Sequence, residues 1–198
     1  MKAQRIPTVA AFVFLVAASM LNPPPVNAAG FSFGPGELVL DPADWHDASN
    51  DPDWSIKPPF IIRRQNDRES AFAFRHPIPA FFEIAFELTV DSTGSSDGKG
   101  VKLRAANASF SVAVDDDYPF GIFDVTAQKY RAKNYNLRIR TRHAYRFCVR
   151  AAPEALSATV DNKTISTRWT ATPPFTLSFF AQRSGYRVKS IKIAEVKK

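Results

Sequence analysis

Two glutamates four residues apart, Glu83 and Glu87, have the clearest potential for chemistry in this sequence. They alternate with apolar residues, so a β-strand through this segment places both carboxylates on one face. A retaining glycosidase needs two carboxylates about 5.5 Å apart, whereas residues i and i+4 of a straight strand start roughly 13 Å apart. The pair therefore predicts glycoside hydrolysis only if the strand curves. The alternative is two solvated strand charges opposite basic neighbours such as Lys102 or Arg104.

Basic residues occupy similar outward positions on other predicted strands. Arginine binds carboxylates and sulfates bidentately, so a sheet face that gathers these residues predicts an anionic polysaccharide as partner. Internal pairing is the favoured interpretation, because residues 29–124 carry 8 basic and 16 acidic side chains, whereas residues 125–198 carry 16 basic and 3 acidic ones. Nucleic acid is not expected, because the basic residues are not interleaved with exposed aromatics in a recognisable module. The residues are Lys102, Arg104, Arg138, Arg140, Arg142, Arg146 and Arg150.

Aspartates in or beside predicted turns offer the hard oxygen ligands that Ca²⁺ prefers. They are Asp91, Asp97, Asp115, Asp116 and Asp117. The spacing of an EF-hand is absent, and Asp is common in turns because it hydrogen-bonds the local backbone. We therefore expect no cofactor, with a structural calcium ion as the alternative. The three histidines lack the paired spacing of a zinc site.

Several aromatic residues are candidates for stacking on the apolar face of a sugar ring. Trp45 and Trp54 flank turns rich in Asp and Pro, and Tyr118 and Phe120 belong to a predicted loop that contains Pro119. We expect one of these two tryptophans to be partly exposed, and Trp54 to contribute to a binding site. For the third tryptophan, Trp169, a place in the core is the favoured interpretation.

Strand-like alternation of apolar and polar residues dominates the chain. In residues 82–90, every second residue is apolar, and shorter runs follow in residues 101–104, 110–115, 137–140, 145–150, 156–161, 177–180 and 188–193. Turn residues separate these runs, and no long segment has helical periodicity. Strands that each bury one face predict two packed antiparallel sheets, an all-β sandwich.

The first 29 residues have the pattern of a secretory signal peptide. Lys2 and Arg5 precede an apolar run of 13 residues, and a small-residue cleavage pattern ends at Ala28. Thirteen residues are too few for a membrane span, which needs about 20. We therefore expect secretion or release into the periplasm, with residues 30–198 forming one domain. The single cysteine, Cys148, cannot form an internal disulfide.

The order of the strands resembles a concanavalin A-like (laminin-G-like) jelly roll, and most resembles the bacterial secreted family described as 3-keto-disaccharide hydrolase-like domains. Residues 82–88 (FEIAFEL) are similar to its F-E-L-x-F-E-F strand, and residues 100–104 (GVKLR) to its S-G-I-x-L-R strand. Residues 157–163 (SATVDNK) resemble its final hairpin, and residues 179–182 its closing strand. In the strand at residues 110–115, where the family has Y-E-V-Q-I-L-D, Ser111 and Ala113 replace the polar Glu and Gln. Residues 83–87 (EIAFE) also resemble the E-I-D-F-E strand of retaining glucanases, with Ala85 in place of the central Asp.

The resemblance implies a secreted carbohydrate-binding domain, and the departures from the family pattern weigh against catalysis. Two alternatives stay open: a glycoside hydrolase-like enzyme that uses Glu83 and Glu87, and a scaffold that recognises a protein at the cell surface. The expected binding face combines the two glutamates with basic residues, an aspartate and a tryptophan. This predicted set is Glu83, Glu87, Lys102, Arg104, Asp115 and Trp54.

Overall fold

The computed structural model describes residues 38, 40–92, 98–115, 120–137 and 139–196. The predicted signal peptide lies outside the described residues. So do Asp97, Asp116, Asp117, Tyr118 and Arg138. Across the described ranges, no helix has both the length and the apolar character that a membrane crossing requires.

In the described part of the chain, fourteen strands form two antiparallel sheets of seven strands each. Sheet A has the order β1 (Trp45–Asp47), β4 (Glu69–Phe74), β13 (Thr176–Gln182), β6 (Lys99–Arg104), β7 (Ser109–Val114), β8 (Phe120–Asp124), β9 (Lys129–Asn134). Sheet B has the order β12 (Lys163–Arg168), β11 (Ala155–Val160), β10 (Ala144–Ala151), β5 (Phe82–Ser92), β14 (Gly185–Glu195), β3 (Phe60–Arg63), β2 (Trp54–Lys57). A short 3₁₀ helix, Pro42–Asp44, precedes β1. The chain crosses between the sheets repeatedly, which makes a jelly-roll sandwich.

The core lies between the two sheets and is built from alternate residues of each strand. Phe82, Ile84, Phe86, Leu88 and Val90 of β5 are all at most 3% exposed. This result confirms the prediction that the even-numbered residues of the segment face the interior. The residues between them project from the outer face of sheet B.

One predicted strand is wrong. The segment at residues 137–140 pairs with no neighbouring strand among the described residues, although Leu137 is buried in the core. The alternation is explained by burial without strand pairing, because Leu137 is buried and Ile139 packs against the core. The Arg140 backbone N–H donates instead to the Tyr145 hydroxyl, at 2.6 Å.

A buried ionic cluster closes the edge of the sandwich beside β2 and β3. The guanidinium of Arg63 has no exposed surface, and its Nη2 lies 3.1 Å from Asp51 Oδ2. It also donates to Ser70 Oγ at 2.9 Å and to Asn66 Oδ1 at 2.6 Å. Asn66 in turn donates to both oxygens of Asp51. Each charge in the cluster therefore has a hydrogen-bonded partner, which buried charges require.

Candidate functional site

A hollow of about 320 Å³ lies on the outer face of sheet A. Its lining comes from outward-facing residues of β4, β13, β6, β7, β8 and β9, together with Gly98, Asp115, Val125 and Gln128 beside the strand ends. The hollow thus extends over six neighbouring strands of one sheet. We call it the sheet A hollow.

The floor of the sheet A hollow is formed by small side chains. Ser111 and Ala113 are the outward-facing residues of β7, and Gly121 faces outward in the next strand, β8. Phe180 lies beside them on β13 and is only 4% exposed, although it faces outward and is not part of the core cluster. The hollow exists because these side chains are small, and Phe180 gives its floor an apolar surface.

One wall of the hollow is aromatic. The ring of Tyr130 in β9 lies over Gly121 of the adjacent strand β8. A Cβ added to Gly121 would be only 2.7 Å from Tyr130 Cε1. Phe123 packs edge-to-face against the Tyr130 ring with centroids 5.0 Å apart. Lys133 Nζ lies 4.1 Å from the centroid of the same ring. The absence of a side chain at Gly121 therefore allows Tyr130 to lean over the sheet.

The opposite wall is polar. Lys102 forms an ion pair with Glu69, and Gln182 Nε2 donates to Glu69 Oε2 at 2.9 Å. Lys102 Nζ also lies 4.7 Å from the centroid of the Phe180 ring. Burial alone would raise the pKa of Glu69, but the hydrogen bonds from Lys102 and Gln182 and the Lys102 charge hold this pKa below its ordinary value. Glu69 is therefore an ionised acceptor at neutral pH.

Hydrogen-bond acceptors and the aromatic floor meet above Gly98. Gln182 Oε1 lies 3.6 Å, Phe180 Cε2 3.6 Å and Asp115 Oδ2 3.8 Å from the position that a Cβ of Gly98 would occupy. These are ordinary van der Waals distances, so a side chain at residue 98 would enter the hollow without a backbone clash. We refer to this place as the Gly98 corner.

The structure brings together only part of the predicted set. Lys102 and Asp115 both line the sheet A hollow. Arg104, two residues after Lys102 on β6, is exposed on the same face but is not part of the lining. Among the lining residues that were not predicted, Phe180 belongs to the floor, Tyr130 and Phe123 form the aromatic wall, and Glu69 and Gln182 belong to the polar wall.

Glu83 and Glu87 lie on the other side of the molecule, so the prediction of one shared groove is wrong. They project from the outer face of sheet B, where Arg150 and Arg146 of β10 are their register partners. Lys189 Nζ of β14 lies 3.3 Å from Glu87 Oε2. The physical reason is topological: β5 and β6 follow each other in the chain but belong to different sheets.

The predicted aromatic platforms that lie within the described residues are core residues. Trp54 is 7% exposed, its Nε1 donates to Ser70 Oγ at 2.8 Å, and its ring stacks on Phe72. Trp45 is 2% and Phe120 1% exposed. Neither Trp45 nor Trp54 is therefore partly exposed, and the prediction that Trp54 contributes to a binding site is wrong, since its ring packs between Phe72 of sheet A and Tyr186 of sheet B. Trp169 is buried as expected, with Nε1 donating to the Ala152 carbonyl.

The aspartates considered for calcium do not converge in the described structure. Asp91 pairs with Arg187 on sheet B, with Nη2 and Oδ1 2.8 Å apart, whereas Asp115 lies at the sheet A hollow. Asp97 and Asp117 lie outside the described residues. Within the ranges that are described, no group of three or more His, Cys, Asp or Glu side chains could hold a metal ion.

No family model and no curated protein sequence matches this chain. Solved structures do match. The carbohydrate binding module CBM66 from Bacillus subtilis has a TM-score of 0.62 at 14% identity, with 77% of this chain and 96% of the module covered. The Emp46p carbohydrate recognition domain, in its potassium-bound form, has a TM-score of 0.61 at 13% identity, with 87% and 99% covered. The exoplasmic/lumenal domain of VIP36, bound to Ca²⁺ and Man3GlcNAc, has a TM-score of 0.58 at 12% identity, with 78% and 84% covered.

The fold is a concanavalin A-like jelly roll. The TM-scores of 0.58–0.62 show this shared architecture, and at sequence identities of 12–14% they show no finer property. The strand alternation predicts an all-β sandwich and the family resemblance implies a jelly roll, and the two seven-stranded sheets confirm both.

Proposed function

We propose that this jelly roll is a carbohydrate-binding domain and that the sheet A hollow holds the sugar. The supporting observation is the combination of an aromatic wall, Tyr130 and Phe123, with the polar residues Glu69 and Gln182 across a floor of small residues. Sugars present both an apolar ring face and many hydroxyl groups, so they need both kinds of surface. The matching structures named above include a carbohydrate binding module and a carbohydrate recognition domain, which supports the same proposal.

Binding without catalysis is the form of the proposal that the residues favour. Ser111 and Ala113 lie in the floor of the hollow, at the two positions where the secreted hydrolase-like family that the sequence resembles has Glu and Gln. Neither side chain can transfer a proton as a carboxyl group does. Glu83 and Glu87, the pair required by the glycosidase alternative, do not line the hollow and are surrounded by basic residues.

Export is part of the same proposal. The signal-peptide pattern of residues 1–29 supports secretion or release into the periplasm, where the mature domain would meet extracellular or cell-envelope glycans. Membership of the 3-keto-disaccharide hydrolase-like family also stays a proposal, supported by the strand motifs in residues 82–88 and 100–104.

A glycan array followed by titration calorimetry tests the proposal. Gly98→Leu should remove binding of every glycan that uses the hollow, because its side chain would occupy the Gly98 corner. Ala155→Leu, on the outer face of sheet B, is the matched control and should bind like the wild type. Glycan binding that survives Gly98→Leu in a folded protein would contradict the proposal, and so would the absence of any glycan ligand.

A second candidate ligand, an anionic polysaccharide, is favoured by the outer face of sheet B. Arg146 and Arg150 of β10 and Lys192 of β14 are exposed there, and none is ion-paired within the described residues. A sulfated polysaccharide bound at this face should be released at high salt, because exposed charges are screened. Binding should weaken in Arg146→Gln/Arg150→Gln and persist in Gly98→Leu. Unchanged binding in Arg146→Gln/Arg150→Gln, together with lost binding in Gly98→Leu, would exclude the outer face of sheet B as the binding site.

A further inference from the structure

We infer that the outer face of sheet B binds a sulfate ester group of a polysaccharide in the space between Arg150 and Arg168. The inference rests on the second candidate ligand of the proposed function, and it names the anionic group and its place on that face. It follows from three features: the strand register around the two arginines, the lack of a carboxylate partner for either of them, and the hydroxyl groups beside them.

Strand register brings the two arginines to one part of this face. Arg150 of β10 is opposite Ser157 of β11, and Ser157 is opposite Ser166 of β12. Arg168 follows two residues after Ser166 and is opposite Ala155. Neighbouring strands are about 4.8 Å apart and residues i and i+2 roughly 6.8 Å apart, so the backbones of Arg150 and Arg168 are roughly 12 Å apart. Both side chains are long enough to reach the space over Ala155 and Ser157 from opposite sides.

Neither arginine is neutralised by a carboxylate of the described chain. Register places Glu83 of β5 opposite Arg150, but Glu83 accepts a hydrogen bond from the Cys148 thiol. Glu154, which precedes the register partner of Arg168, is exposed between β10 and β11 and forms no ion pair with it. Both arginines are exposed, and across the described ranges neither side chain has an ion pair or a hydrogen bond. Their guanidinium groups are therefore available to an anion in solution.

The hydroxyl groups beside the arginines favour a sulfate over a carboxylate. One arginine fork satisfies both oxygens of a carboxylate, whereas a sulfate ester has a third terminal oxygen that needs another donor. Ser166 is exposed, and its hydroxyl has no hydrogen bond within the part of the chain that the structure describes. Ser157 Oγ donates only a long bond of 3.5 Å to the Arg150 carbonyl. Either serine can therefore donate to the third oxygen of a sulfate that the arginines hold.

The neighbouring surface suits the rest of a polysaccharide. Thr159 of β11 and Thr164 of β12 continue the pair formed by Ser157 and Ser166 along the same two strands, and the two threonine hydroxyl oxygens are 2.9 Å apart. On the other side of the serines, the outward residue of β11 is the small Ala155. All these side chains are short, so the sugar residues next to the sulfate can lie flat on β11 and β12 and exchange hydrogen bonds with the hydroxyl groups.

Titration calorimetry at low salt tests the inference with two oligosaccharides of equal length. The probes are a chondroitin sulfate hexasaccharide and its unsulfated counterpart, which carries the same uronate groups. We expect the sulfated probe to bind about tenfold more tightly, a factor that corresponds to about 1.4 kcal/mol. This value is close to the lower limit for hydrogen bonds to charged groups, because both arginines are exposed. The difference should shrink at high salt, which screens exposed charges.

Variants locate the sulfate. Arg168→Gln should bring the affinities for the two probes close together, and Arg168→Lys should lose most of the preference, because lysine keeps the charge without the planar fork. Ala155→Leu fills the space between the arginines, so it should weaken binding of the sulfated probe while glycans that use the sheet A hollow bind as before. Arg104→Gln removes the same charge from an exposed position of sheet A and is the matched control. Gly98→Leu, in the hollow, should change neither affinity.

The outcomes separate this inference from the second candidate ligand. Equal affinity for the two probes, failure of the sulfated probe to bind, or a preference that survives Arg168→Gln would overturn the inference. So would an equal loss in Arg104→Gln, which would show attraction by net charge alone, or a loss in Gly98→Leu, which would place the anion in the sheet A hollow. If a polyuronate alone binds, in a manner sensitive to Arg146→Gln/Arg150→Gln, the sulfate inference fails and the second candidate stands. If no anionic polysaccharide shows that sensitivity, both fail.

Discussion

The ring of Tyr130 lies directly over Gly121 on the adjacent strand, at a distance that leaves no room for a Cβ. This contact orients the aromatic wall of the sheet A hollow. A methyl group at residue 121 would meet Tyr130 Cε1 at 2.7 Å and push the ring away from the sheet.

Gly121→Ala should therefore weaken glycan binding about as much as Tyr130→Ala, by roughly 0.5–1.5 kcal/mol, the usual value of an aromatic contact. Because both variants remove the same contact, the double variant should lose little more than either single one. Calorimetry on the three proteins measures this. Fully additive losses would show that Gly121 and Tyr130 act on binding independently.

Removing the charge of Arg63 should destabilise the sandwich strongly. Arg63→Met leaves Asp51 buried without its cation, and breaking a buried ion pair costs about 3–5 kcal/mol. Denaturant unfolding measures the change in free energy of unfolding. Arg104→Met, at an exposed position of β6, is the matched control and should stay within about 0.5 kcal/mol of the wild type. A small effect at Arg63 would mean that Asp51 finds another partner.

The protein should lose stability in acid. Burial would raise the pKa of Asp51 and Asp124, but hydrogen bonds and the neighbouring Arg63 and Arg131 hold both pKa values below the ordinary range, and the Glu69 pKa is also lowered. A carboxylate with a lowered folded-state pKa stabilises the fold above its unfolded pKa of about 4 and loses that contribution as the pH falls through the folded value.

Melting temperatures measured from neutral pH down to pH 2 should fall most steeply below about pH 4. Asp124→Asn should be less stable than the wild type at neutral pH, and the difference should shrink in acid. A difference that is independent of pH would show that the charge of Asp124 contributes nothing.

The single cysteine should react slowly at neutral pH. The pKa of the Cys148 thiol is raised to about 11, mainly by burial and also by the negative charge and the hydrogen bond of Glu83. Only the thiolate reacts with iodoacetamide. Alkylation should therefore accelerate with pH up to this high value, and Glu83→Gln should speed it modestly, because burial is the larger cause. Faster reaction of the wild type than of Glu83→Gln would contradict this account.

Much of the fold could be predicted because burial of one face gives the central strands a regular alternation of apolar and polar residues. In β5 and β10 every second residue faces the core, and the sequence shows that alternation directly. This alternation is weaker in the edge strands. In β9, residues 129–134 (KYRAKN) are mostly polar, and β2 has four residues, so neither alternates long enough to be recognised.

The site was predicted less well, because alternation shows whether a residue faces the core or the solvent but not which of the two sheets it belongs to. Lys102 and Glu87 were both correctly predicted to face outward, yet they lie on opposite sheets. Phe180 was not predicted as a site residue, because its apolar side chain, with Phe179 and Ala181 on either side, gives no local sign of an outward hollow. The pairing of Tyr130 with Gly121 depends on strand register across a bulge, which no local pattern reveals.

Amide chemical-shift mapping of the ¹⁵N-labelled protein, titrated with its tightest glycan, tests the central claim most directly. The proposed site predicts that the shifted and broadened signals cluster at Gly98, Lys102, Ser111, Gly121 and Gln182, around the sheet A hollow. Signals of Glu83, Glu87 and Arg146 on sheet B should stay unchanged. Shifts confined to sheet B, with the hollow unaffected, would contradict the account.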